Sequence, residues 1–190
     1  NILSEIMEIF PYDYIHIGGD ECPTSAWQNN AECQARYREL GLTSYRQLQS
    51  HFIKDVGGFI KEKGRKVIVW NEAISEEGAD TKLIQDLDAL VFCWTVGTAA
   101  AGAKKAAELG LNNVYTPWGP YYINRKQDPN DPPGAGDGSD NVQKTYNEVP
   151  VPSGISAALA KHYTGVQGTF WTEHVSDRTY MEYLALPRLI

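Results

Sequence analysis

Lys66-Val67-Ile68-Val69-Trp70 is a β-branched run too short for a helix and too apolar for a strand with one wet face, so it reads as a buried strand. The chain repeats this device. Tyr14-Ile15-His16-Ile17 leads to Gly18-Gly19-Asp20-Glu21, residues 90–94 run to Trp94, residues 113–116 stop at Pro117, and residues 166–171 run to Trp171. Helical spacing separates these runs. Residues 2–10 precede Pro11, and polar helical sequence over 27–40 closes at Gly41. Ser44 and Gln47 have the form of a capping box before a helix with Leu48, Phe52, Val56, Phe59 and Ile60 on one face. Further helices are predicted at 82–87, at 99–109 before Gly110, at 155–163 with Gly165 as cap, and at 177–186 before Pro187. Strand and helix alternating five times call for parallel strands covered by helices. Right-handed crossovers leave an open doubly wound sheet or a barrel.

The 190 residues are enough for one domain with a full core. A formal net charge of -7 without any cluster of Lys and Arg argues against nucleic acid or an anionic membrane as partner. No stretch has the length of a membrane-spanning helix, so no membrane insertion is expected. The chain starts at Asn1 with neither an initiator Met nor a signal-peptide pattern, which reads as the middle of a longer protein. The three cysteines do not make a disulfide scaffold. Cys93 lies in an apolar run as a small core residue. Cys22 and Cys33 flank a loop and a helix start, where they either close one bridge in an exported protein or stay reduced.

Polar and aromatic residues collect at the ends of the strands. Asp20 and Glu21, Trp70 and Glu72, Trp94, Tyr121 and Tyr122, and Trp171 and Glu173 all stand at or just after a carboxyl end. A (β/α)8 barrel builds its active site there, whereas an open sheet uses one switch point. Three strands ending in Trp suggest a sugar ligand, because aromatic faces pack on axial C–H groups while carboxylates accept hydroxyl hydrogens. Gly18-Gly19 gives the chain freedom to turn so that two adjacent carboxylates serve one site. The long Pro/Gly/Asp-rich segment 118–141 has the character of a functional loop. Other chemistry is not supported: Lys104 is displaced from the phosphate-loop position after Gly102, the histidines have no metal spacing, and residues 128–140 lack the register of a calcium loop.

His16-Ile17-Gly18-Gly19-Asp20-Glu21, the strands ending at Trp70 and Trp94, Tyr122-Ile123-Asn124, Phe170-Trp171-Thr172-Glu173 and Leu186-Pro187-Arg188-Leu189 together resemble the family 20 glycoside hydrolases, which are β-N-acetylhexosaminidases. The resemblance covers nearly the whole chain. It implies an α/β fold of the (β/α)8 TIM-barrel type, present in part, with residues 1–190 supplying about strands 4 to 8. The first three strands, and the arginine that holds the sugar in this family, would lie outside this chain, so the chain alone is expected to have little activity. The resemblance gives Glu21 the part of general acid and Asp20 that of the residue orienting the substrate's 2-acetamido group, whose own attack replaces an enzyme nucleophile. Trp70, Trp94 and Trp171 match the walls of the acetamido pocket, Tyr122 the hydroxyl that bonds the acetamido carbonyl, and Glu173 an acceptor for sugar hydroxyls. His16 falls behind the carboxylates. Asn124 replaces the aspartate of many relatives, keeping a hydroxyl partner without the charge. The implied ligands are N-acetylhexosamine-containing glycans, with no cofactor or metal, and the implied setting is export to a periplasmic, secreted or lysosomal compartment. Two other readings remain open: a non-catalytic carbohydrate-binding module, and a barrel glycosidase acting on a different sugar.

Overall fold

A computed structural model describes residues 2–136 and 138–190; Asn1, at the expected chain start, and Asp137, within the predicted functional loop, lie outside the described residues. In chain order the elements are α1 (Ile2–Ile9), β1 (Tyr14–His16), α2 (Ser25–Gln28), α3 (Ala31–Glu39), α4 (Arg46–Glu62), β2 (Lys66–Trp70), α5 (Glu72–Ser75) and α6 (Thr81–Asp86). There follow β3 (Leu90–Cys93), α7 (Ala99–Glu108), β4 (Asn113–Tyr115), α8 (Val142–Asn147), α9 (Ala157–Ala160), β5 (Tyr163–Val166) and α10 (Arg178–Ala185). The strands form one parallel sheet in the order β1-β2-β3-β4-β5. That order settles the choice of architecture. A doubly wound sheet reverses its strand order partway, whereas strands laid down in sequence with right-handed crossovers put the helices on one face, as in an arc of a barrel.

The alternation of the strands follows this asymmetry. Ile15, Val67, Val69, Val91 and Cys93 are buried toward the helices, in one core with Ile53 and Ile60 of α4, Ile74 of α5, Ile84 of α6 and Ala103 and Ala106 of α7. Each large aliphatic side chain so buried contributes about 1.5–3 kcal/mol. The opposite face carries Tyr14, His16, Ile68, Trp70 and Phe92 and is in part open to solvent.

Several predicted details change. The buried stripe of α4 is Gln49, Ser50, Ile53, Gly57 and Ile60, and the Gly57 Cα packs so close to Leu87 that a Cβ would stand 2.7 Å from Leu87 Cδ1. Of the predicted face, Ile60 lies in the core with Val56 and Phe59 packed against it, while Leu48, Phe52 and Val56 border an apolar cavity beside α3 and Phe52 is exposed. In the capping box, Gln47 Oε1 does reach back to the Ser44 N–H at 3.3 Å, but Ser44 Oγ accepts from Arg46 N, one residue earlier than the box requires. The fifth strand is Tyr163–Val166, and the expected strand 166–171 is irregular chain joined to Tyr122 by a single bridge at Thr169. Gly165 is therefore a strand residue opposite Val114, where the register of β4 and β5 shifts, and α9 stops before it. Cys22 and Cys33 are both free thiols lining the same apolar cavity, and Cys93 is buried as expected.

Segment 118–141 is tied down from within. Arg125 pairs with the fully buried Asp140, which also pairs with Lys144. Arg188, buried near the C-terminus, donates to Asp140 O at 2.9 Å and to Arg125 O at 2.9 Å. These cations satisfy loop carbonyls that no strand pairs, which is what a buried loop requires.

Candidate active site

β1 stops at His16, and the chain then turns through two glycines with positive φ, Gly18 at 76° and Gly19 at 99°. Gly19 also passes close to α4: a Cβ there would lie 3.3 Å from Ile53 Cδ1. Glu21 itself has φ 44°, a conformation that non-glycine residues seldom adopt and that clusters at functional sites. The turn brings both carboxylates to one cavity of about 260 Å³, bounded by Asp20, Glu21, Trp70, Trp94, Trp118, Tyr122, Trp171 and Glu173. A larger cavity of about 590 Å³ lies behind the loop, but it is lined chiefly by Trp27, Leu48, Phe52, Ile53 and Val56 and touches only Asp20 of the acidic pair. The chemistry belongs to the smaller one.

Its walls are aromatic rings braced on one another. Trp70 lies 6.4 Å from Trp94 and 6.5 Å from Trp171, centroid to centroid; Tyr122 lies 6.0 Å from Trp94 and 4.6 Å from Trp118. The Arg125 guanidinium stacks over Trp118 at 4.9 Å. Trp70 and Tyr122 are buried, and Trp171 is half exposed at the rim. Burial, chiefly, pushes the Tyr122 hydroxyl above its ordinary pKa, with Glu72, Asp20 and Glu21 adding to the rise and a hydrogen bond donated by the Trp171 indole N–H opposing it. Tyr122 thus keeps its proton and can donate it.

The end of β3 is held by Asn71, which is almost fully buried. Its Oδ1 accepts from Trp94 N at 3.0 Å, and its Nδ2 donates to Thr95 Oγ1 at 2.9 Å. Next to it, Glu72 accepts from the Trp94 indole N–H at 2.9 Å while only 6% exposed. Burial raises its pKa, against hydrogen bonds from Trp94 and from backbone N–H groups that include Glu21's, and with the charge of Asp20 adding to the rise. His16 Nδ1 accepts from Gly18 N at 3.0 Å, and its ring packs on Trp70 at 4.7 Å and Phe92 at 5.4 Å. Loss of hydration lowers its pKa to about 4, opposed by Asp20. One side of the ring is open to solvent, yet the accepting Nδ1 independently requires that nitrogen to be unprotonated.

The structure therefore gathers Asp20, Glu21, Trp70, Trp94, Tyr122, Trp171 and Glu173 around one cavity, with His16 behind Trp70. Asn124 is the exception. It is 2% exposed, does not border the cavity, and its side-chain amide has no hydrogen-bond partner among the described residues. Trp118 was not among the expected site residues, and Glu72 was placed at a strand end without a role. The aromatic start of segment 118–141 and the Trp70-Asn71-Glu72 sequence, which repeats the pattern of an aromatic followed by a carboxylate, are the signals that point to them. Among the described residues no three of His, Cys, Asp and Glu group as metal ligands, and no helix is long and apolar enough to cross a membrane.

Comparison with known proteins adds to this geometry. The family model of the glycosyl hydrolase family 20 catalytic domain matches residues 1–190. The chain is 31% identical over 192 residues to the beta-hexosaminidase of Porphyromonas gingivalis, covering 100% of this chain and 23% of that protein. It is 35% identical over 186 residues to subunit beta of human beta-hexosaminidase, covering 97% of the chain and 30% of the subunit. A family 20 exo-β-N-acetylglucosaminidase from Vibrio harveyi, solved in complex with N-acetylglucosamine, is similar with a TM-score of 0.82 at 29% identity, over 99% of this chain and 28% of that one. The chain thus spans between 23% and 30% of the length of these relatives.

Proposed function

Because this chain belongs to glycosyl hydrolase family 20, we propose that the protein containing it removes terminal, non-reducing β-linked GlcNAc or GalNAc from glycans, with retention and with help from the substrate's own acetamido group. The observation that carries the reading is the cavity bounded at once by two adjacent carboxylates, four tryptophans and a protonated tyrosine. A pyranose with an N-acetyl arm offers what those groups recognise: apolar ring and methyl faces for the indoles, an amide N–H for a carboxylate, and an amide carbonyl for a hydroxyl donor.

In this mechanism Tyr122 donates to the acetamido carbonyl and Asp20 accepts from the acetamido N–H, turning the carbonyl oxygen toward the anomeric carbon. Glu21 protonates the glycosidic oxygen as that oxygen leaves. The carbonyl oxygen bonds to the anomeric carbon and closes a cationic oxazolinium, whose positive charge Asp20 offsets. Glu21, now ionised, takes a proton from a water that attacks the anomeric carbon, reopening the ring and restoring the acid. Two inversions give net retention. No cofactor takes part, since the nucleophile is the substrate's. Glu173 at the rim accepts from sugar hydroxyls.

The test is substrate choice in the full-length protein. Nitrophenyl β-GlcNAc is expected to be cleaved and the corresponding β-glucoside, which lacks the acetamido nucleophile, to be cleaved at least about a hundredfold more slowly. GlcNAc-thiazoline is expected to inhibit as a mimic of the cyclic intermediate. Equal turnover of the two glycosides contradicts substrate assistance, and tight binding of GlcNAc without turnover points instead to a binding module.

A further inference from the structure

We propose that Arg46 and Gln49, on the first turns of α4, are positioning residues that clamp the backbone on either side of Asp20-Glu21 and so aim the general acid. The inference rests on the acid role given to Glu21 above. It starts from where the backbone hydrogen bonds of this loop go. The pairing of β1 with β2 ends where Trp70 N donates to Gly18 O at 3.0 Å. From Gly19 to Cys22, no backbone group bonds to another backbone group among the described residues. A stretch with Gly19 and Glu21 both at positive φ thus has no ladder to hold it.

α4 replaces the ladder on either side of the acidic pair, while Glu72 takes the Glu21 N–H between them. Gln49 Nε2 donates to Gly19 O at 2.9 Å, and Arg46 Nη1 donates to Cys22 O at 2.8 Å. Gly19 and Cys22 are the residues immediately before and after the acidic pair. The two clamps are coupled: Arg46 Nη1 also donates to Gln49 Oε1 at 2.7 Å. That bond fixes which end of the Gln49 amide faces Arg46, and so directs the Nε2 donor to Gly19. The other guanidinium nitrogen, Nη2, reaches Glu76 Oε2 at 3.4 Å, just beyond α5. The loop bearing the acid and the chain after Trp70 therefore share one cation. Gln49 is buried and the Arg46 side chain is 14% exposed, so neither is a loose surface contact. Arg46 and Glu21 also border one cavity of about 440 Å³ together with Glu72, Glu76 and Trp94. Arginine serves Cys22 and Gln49 through one nitrogen and Glu76 through another, held in one plane; a lysine ammonium is a single point charge and does not reproduce that fork.

A clamp that aims an acid acts most where the leaving group needs a proton. A side chain that merely stabilises the fold affects every substrate alike. The experiment compares wild type, Arg46→Ala, Arg46→Lys and Gln49→Glu in the full-length protein, on dinitrophenyl β-GlcNAc, whose leaving group needs little protonation, and on chitobiose, whose leaving group needs it. Gln49→Glu keeps the acceptor for Arg46 and presents an acceptor, where a donor was, to Gly19 O. The clamp predicts that kcat on chitobiose falls about tenfold or more while the dinitrophenyl substrate loses less than about threefold, with KM nearly unchanged. Added guanidinium is expected to restore part of the chitobiose rate in Arg46→Ala and none in Glu21→Gln. An equal loss on both substrates, or no loss in either Arg46→Lys or Gln49→Glu when both melt like wild type, overturns the proposal. A wild type that turns over neither substrate overturns the functional reading, and with it the clamp's role in proton delivery.

Discussion

Glu72 carries a carboxylate in a place where only a specific partner makes one tolerable. It is nearly buried, its pKa is raised chiefly by burial, and it takes the Trp94 indole N–H at 2.9 Å. Removing it by Glu72→Ala leaves that N–H without its acceptor and frees the Trp94 ring. A lost hydrogen bond to a charged group costs about 1.5 kcal/mol, so KM for nitrophenyl β-GlcNAc is expected to rise about tenfold, read from steady-state kinetics. An unchanged KM shows that Trp94 keeps its place in the wall without Glu72. At this scale much of the site was legible in advance. Asp20 and Glu21 are marked by the glycines before them, and the tryptophans by their recurrence at strand ends. Asn124 was not, because its burial depends on how segment 118–141 folds back, and its two neighbours in sequence give no hint of that.

Among the elements, the strands were read best where the run is short and almost wholly apolar, as in β2 and β3, although the face of β2 that carries Ile68 is not fully buried. β5 was displaced because Tyr163-Thr164-Gly165-Val166 has a glycine that mimics a helix cap, while the apolar weight lies further on at Phe170 and Trp171. Trp171 serves the cavity and Phe170 lines the open face of the sheet, and so strand-like composition did not mean strand. The buried stripe of α4 was read only in part, Ile60 lying in the core with Val56 and Phe59 against it, because Gly57 and Gln49 are not apolar, yet one admits Leu87 and the other reaches Gly19 O. Segment 118–141 owes its shape to the ion pair of Arg125 and Asp140. Burial alone would raise the Asp140 carboxyl, but hydrogen bonds from Lys144 and Arg125 outweigh it and hold the group below its ordinary value. The sign follows from that depression: the pair's contribution is complete above the unfolded carboxyl value of about 3.9 and is lost as pH falls through the lower folded value. Asp140→Asn is expected to cost about 2 kcal/mol in urea unfolding at neutral pH and to flatten the acid limb of stability below about pH 4. A variant whose acid limb matches that of wild type assigns the limb to other groups.

The molecule as a whole is an arc of five parallel strands with its helices on one side and the carboxylates and aromatics of the candidate site at one end. The sequential strand order and the chemistry at carboxyl ends follow from a single rule: crossovers of one hand stack every strand in the same sense, so every loop after a strand reaches the same rim. That is why residues as distant as Asp20 and Glu173 border one cavity, and why alternation together with the residues at the strand ends pointed to a barrel. The open face bearing His16, Ile68 and Trp70 is the side from which the rest of a barrel would close the site. The central claim concerns the proton that Glu21 supplies to that site. Its most direct measurement is kcat of Glu21→Gln on chitobiose in the full-length protein, beside a melting curve and GlcNAc-thiazoline binding. The account predicts a loss of at least about a hundredfold, with melting and inhibitor binding like those of wild type. Turnover within a fewfold of wild type contradicts it.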